Sequence, residues 1–170
     1  MTSTFQQIIR LEDDTPPTIQ LTCPADTVLY VDGNCMAATD TSATGSASAI
    51  FDDNCDLESD TLYYSDSVTG TPGDGCYSIE RTWTASAEDA CGNVSTAMCT
   101  QTITVDDDED PTVTLTCPAN TTVYVDGNCT AATDTSATGA ATAMFDDNCT
   151  LTFDTLYYSD SVSGLSLIHI

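Results

Sequence analysis

Three cysteines of this chain recur at one spacing: Cys23, Cys35 and Cys55 return 94 residues later as Cys117, Cys129 and Cys149. Aligned at that offset, residues 17–70 and 111–164 are identical at 41 of 54 positions, so the chain is built from an internal repeat and has to fold in units of about that size. The frame reaches back to the start, where FQQIIRL (residues 5–11) falls under CTQTITV (residues 99–105). Four segments follow: 1–14, the last strand of a preceding repeat plus linker; 15–105, a complete repeat; 106–164, an acidic linker and a shortened second repeat; and 165–170, a foreign tail, LSLIHI, with Ile170 where the counterpart of Cys76 belongs.

The pattern inside a repeat is that of strands. Residues 18–22, 27–31, 62–68, 77–86 and 94–105 are β-branched, aromatic or alternating, and turn residues separate them. In the fourth run Tyr77, Ile79, Trp83 and Ala85 share one face and Ser78, Glu80, Thr82 and Thr84 the other, the signature of a half-buried strand. Arg81 falls on the Trp83 face, where it is expected to stack on an aromatic ring or to reach outward to water. Asp89-Ala90-Cys91-Gly92-Asn93 reads as the hairpin turn into the last strand. Short strands with frequent turns imply an all-β fold: tandem immunoglobulin-like β-sandwich modules, rich in disulfides.

Nine cysteines in 170 residues suit an oxidising, extracellular compartment. The opening MTSTFQQIIRLEDD lacks the regions of a secretory signal, so the signal peptide is expected outside this fragment. In an immunoglobulin-like topology the first and last strands run parallel, which pairs Cys23 with Cys99. Cys76 and Cys91 open and close one strand and lie too far apart to join. Loop positions then pair Cys35 with Cys76 and Cys55 with Cys91, and Cys35 with Cys55 stays open. Cys117, Cys129 and Cys149 are expected to be unpaired, because their partners lie beyond the break.

These residues resemble the hyalin-repeat (HYR) family of extracellular modules. The resemblance rests on Thr15-Pro16-Pro17, Thr22-Cys23-Pro24-Ala25, Asp53-Asn54-Cys55, Arg81-Thr82-Trp83-Thr84-Ala85, Asp89-Ala90-Cys91-Gly92-Asn93 and residues 99–105, and it covers nearly everything but the tail. It implies an immunoglobulin-like fold, secretion, arrays in adhesion, matrix or surface-fibre proteins, and no catalytic residues. This module is longer and richer in cysteine than the simplest members.

Charge narrows the partners. Against 27 acidic residues stand two cations, Arg10 and Arg81, for a net charge of −25, which argues against nucleic acid and anionic lipid and leaves divalent cations as natural company. No apolar stretch is long enough for direct membrane insertion. Hard oxygen ligands gather by topology at the module ends: Asp13, Asp14, Asp52, Asp53, Glu88 and Asp89 for the first repeat, and Asp106, Asp107, Asp108, Asp110, Asp146 and Asp147 for the second. Calcium there would stiffen an array; a solvated acidic linker with no ion is the other reading. No cofactor is required on either.

Four sequons begin at Asn93, Asn120, Asn128 and Asn148. The sole histidine, His169, sits in the tail, so the repeat holds no Ser/His/Asp or Cys/His set and no enzyme is expected. The cysteine spacings are not those of a zinc site. The leading expectation is a structural or adhesive module of a secreted or cell-surface protein or filament, a stiff acidic spacer whose partners are neighbouring repeats. A glycan- or protein-binding module is the alternative, with Tyr63, Tyr64, Tyr157 and Tyr158 the residues to test. An accessory region of a larger secreted enzyme is the third.

Overall fold

The computed structural model describes residues 3–161; the proposed foreign tail, with His169 and Ile170, lies outside them. The chain divides into two compact units between Asp108 and Glu109, inside the acidic run. The fold is mostly β-sheet.

In the first unit β1 (Thr18–Thr22) pairs antiparallel with β3 (Ser48–Asp52), from Thr18 opposite Asp52 to Thr22 opposite Ser48. A second sheet has the order β2-β6-β5-β4, formed by β2 (Thr27–Tyr30), β6 (Val94–Asp106), β5 (Tyr77–Asp89) and β4 (Leu57–Gly70). β2 runs parallel to β6, whereas β4 and β5, and β5 and β6, are antiparallel. β1 packs against both β5 and β6, so the two sheets share one core. The strand parallel to the last one is therefore β2, while β1 crosses to the other sheet.

β5 and β6 bring the long alternating runs together, and their inward faces make the core. Ile79, Trp83, Ala85 and Ala87 from β5 meet Ile103 and Val105 from β6, all buried. The intervening polar side chains are tied down. Arg81, 2% exposed, gives Nε and Nη2 to the two carboxylate oxygens of Asp66 at 2.8 and 2.9 Å, Nη1 to Thr44 Oγ1 and Nη2 to the Thr39 carbonyl. Its guanidinium also lies 4.3 Å from the centre of the Tyr64 ring, which in turn packs on Trp83. Gln101 donates from Nε2 to the carbonyls of Ala25 and Thr44. Four such donor bonds are what makes a buried guanidinium tolerable.

Thr44 ends α1 (Thr41–Thr44), a single turn capped by Asp40, whose Oδ1 accepts from Ser42 N at 2.8 Å. The cap sets the turn, and the turn delivers the hydroxyl and carbonyl that satisfy Arg81 and Gln101. The Asp89–Asn93 hairpin closes through Asp89 N to Asn93 O, and Gly92 takes φ +88°, which favours glycine.

In the second unit the same pieces recur 94 residues on. β7 (Thr112–Thr116) pairs with β8 (Thr142–Asp146) in the register of β1 and β3, and α2 (Thr135–Thr138) carries the Asp134 cap. The loop after β2, where Asp32 Oδ1 accepts from Asn34 N and Met36 N, has its double at Asp126, Asn128 and Thr130. Residues 121–125 and 156–161 form no strand: a strand needs a hydrogen-bonded neighbour, and among the described residues of this unit there is no counterpart of β5 and β6.

Candidate functional site

Polar groups converge where the linker before β1 meets two loops. Asp89, at the end of β5 and 1% exposed, accepts at Oδ1 from Cys91 N and Asn93 N, both at 2.8 Å, and at Oδ2 from Asn93 Nδ2 at 2.7 Å. Burial alone would push its carboxyl up; the Asn93 amide, Asn93 N–H and Cys91 N–H together bring it below the usual range. Asp53, in the turn between β3 and β4, accepts from Cys55 N at 3.0 Å through Oδ2, while its buried Oδ1 has no partner.

Asp13 comes from the linker. Its Oδ1 accepts from Thr15 N, its Oδ2 from Asn54 Nδ2, and its backbone carbonyl from Asn93 Nδ2 at 2.9 Å. The Cys55 thiol also donates to Asp13, and this bond, with Thr15 N–H and the Asn54 amide, holds the Asp13 carboxyl below the usual range. The same bond to a carboxylate drives the Cys55 thiol up to about 11. One oxygen from each of Asp13, Asp53 and Asp89 lies within 4.8 Å of the other two.

Of the carboxylates expected to gather, the structure unites these three, and no other such group occurs among the described residues. Asp14, Asp52 and Glu88 stand outside it, on the exposed side of the linker and strands. Asp106 ends β6 at the far end of β5, opposite Tyr30. Asp107, Asp108, Asp110, Asp146 and Asp147 join no triad. Three hard oxygen donors in reach of one another are chemistry suited to a divalent cation.

The cysteines divide. Cys23 and Cys99 are joined with Cα atoms 6.0 Å apart, linking the end of β1 in one sheet to β6 in the other. The expected Cys35–Cys76 bridge is corrected: Cys76 is a free thiol lying 3.6 Å from Asp106 Oδ1, and Cys35 is disulfide-bonded elsewhere, with its sulfur 3.5 Å from the Gly73 carbonyl. Sharing one end of the sheet brings the two loops near, as the Cys35–Gly73 contact shows, but the Cys76 thiol is turned to Asp106 at the end of β6. The expected Cys55–Cys91 bridge is not formed in this structure either: both thiols are free and exposed. Cys117 and Cys129 are free as well, whereas Cys149, expected to be unpaired, is disulfide-bonded.

Asn93 is half-buried and its amide nitrogen already serves Asp13 and Asp89, so a glycan there would displace both bonds. Asn120 and Asn128 are exposed, and Asn148 is half-buried. Tyr64 belongs to the Arg81 cluster, while Tyr63, Tyr157 and Tyr158 point to solvent. Sequence reasoning missed Asp66 and Thr44 as the partners of Arg81 and missed the Asp13–Cys55 contact. The invitation to look was there in a cation on a core face, but its partners sit 15 and 37 residues away.

No helix of the described residues is long and apolar enough to cross a membrane. In comparisons with known proteins, no family model, no curated protein and no solved structure matches this chain.

Proposed function

We propose that this chain is a structural or adhesive piece of a secreted or cell-surface protein, a run of immunoglobulin-like β-sandwich modules that act as acidic spacers. The observation that carries the reading is the recurrence, at one 94-residue interval, of the same paired strands, capped turn and cysteines. Repetition of a fold-forming set multiplies length rather than building one cleft. Two sheets sharing one core and linked by the Cys23–Cys99 bridge support the sandwich, and oxidised cysteines support an extracellular setting. The residues around Cys23, Cys55, Trp83 and Cys91 support kinship with hyalin-repeat modules.

The test is small-angle scattering of arrays with two, four and six complete repeats, made in an oxidising compartment. A spacer gives a longest dimension that grows in proportion to repeat number. Growth as the square root of repeat number, the mark of a flexible chain, overturns it. Tyr63, 57% exposed on a sheet face, favours a second reading as a glycan-binding module. Binding on a glycan array that vanishes in Tyr63→Ala would establish that reading.

A further inference from the structure

We propose that Cys55 and Cys91 close a cross-strand disulfide that acts as a redox-labile catch, fixing to each other the two loops that hold the linker. The geometry comes from the register of β4 on β5. Leu57 stands opposite Asp89, and one step further out Ala90 N donates to Asp56 O at 3.1 Å. The ladder itself ends at Leu57, and carrying the same register one step beyond the Asp56–Ala90 bond sets Cys55 opposite Cys91. Antiparallel pairs alternate between hydrogen-bonded and non-hydrogen-bonded positions, and the Asp56–Ala90 bond makes Cys55–Cys91 a non-hydrogen-bonded one. The amides agree: Cys55 N donates to Asp53 and Cys91 N to Asp89, so neither is spent across the ladder. At such positions Cα atoms lie about 4.5 Å apart, within disulfide reach.

Both thiols are free and exposed, and Cys91 lies close enough to Cys55 to contribute to its raised pKa. The two loops they would join are the ones that grip the linker, through Asn54 Nδ2 on Asp13 Oδ2 and Asn93 Nδ2 on the Asp13 carbonyl. Closing the bridge takes the Cys55 sulfur from Asp13 and locks the seat of the linker. The oxidant is a low-molecular-weight disulfide. One cysteine thiolate attacks it and expels a small thiolate; the other cysteine thiolate attacks the protein sulfur of the mixed disulfide and expels the second. Two electrons pass from the cysteine sulfurs to the small disulfide, and the two thiol protons end on the two small thiols released. An exposed bridge at a loop end opens at milder reductant than one set between sheets, so Cys55–Cys91 yields before Cys23–Cys99.

The inference deepens the spacer reading and rests on its oxidising compartment, but its readout is a peptide map rather than molecular dimensions. The full chain is equilibrated with oxidised and reduced glutathione, alkylated, digested without reduction and mapped. The expected result is a Cys55–Cys91 peptide that disappears at a higher oxidised-to-reduced ratio than the Cys23–Cys99 peptide. Exchange of the Ala90 amide should slow about tenfold on closure, as the flanking bond is clamped, and Cys55→Ser/Cys91→Ser should remove that slowing while keeping Cys23–Cys99. Alkylation of both Cys55 and Cys91 under full oxidation with Cys23–Cys99 closed overturns the proposal, as does a map that joins Cys55 to Cys35. Loss of Cys23–Cys99 in the double variant would mark misfolding, and the wild-type map then decides alone.

Discussion

Arg81 is one of two cations in a chain with 27 acidic residues, and it is spent inside the core. Its carboxylate partner Asp66 is fixed at both oxygens, so Arg81→Ala leaves a partly buried charge with no counter-ion and should cost about 3 kcal/mol in urea unfolding. Arg81→Lys should recover only part of this, because an ammonium cannot reproduce the fork of bonds to Asp66, Thr44 and Thr39. Carboxylates set the acid limit. Asp40, held low mainly by the Ser42 hydroxyl and Ser42 N–H, and Asp89, held low by donors that outweigh its burial, both have folded values below their unfolded ones. Their stabilisation is complete above the unfolded value, about 3.9, and is lost as pH falls below it through the folded value. Melting temperature should therefore be flat from neutral pH down to about 5 and drop steeply beneath about 4.

Elements reveal how far local pattern reaches. The face of β5 that carries Ile79 and Trp83 was legible because its alternation is long and interrupted only by Arg81, and the hairpin was legible from Asp89 to Asn93. Gly92→Ala forces a side chain into left-handed backbone at that hairpin and should cost about 1 kcal/mol, read from a denaturant midpoint. β3 and α1 were not legible: Ser48–Asp52 is five residues after a threonine- and alanine-rich stretch, and one helical turn has no period to detect. The triad was half legible. Loop residues at one end of a sheet could be foreseen, but selection of Asp13, Asp53 and Asp89 depends on the Asn54 and Asn93 amides that draw the linker in. Residues 121–125 show the limit most clearly, since TTVYV has the composition of a strand and forms none where its neighbour is missing.

For the molecule as a whole, covalent closure and charge oppose one another. The Cys23–Cys99 bridge spans 76 residues, and its loss in Cys23→Ser/Cys99→Ser should cost about 4 kcal/mol by the chain-entropy account. A net charge of −25 repels itself, so melting temperature should climb as sodium chloride rises from about 10 to 500 mM, with most of the gain below about 150 mM. The only tryptophan of the chain, Trp83 on β5, stands directly opposite Cys99 on β6 and on the same face of the sheet. Disulfides quench nearby indoles, so the intact protein should be dim under ultraviolet excitation and brighten when that one cross-link is cut, giving each repeat that keeps this pair its own optical gauge of oxidation.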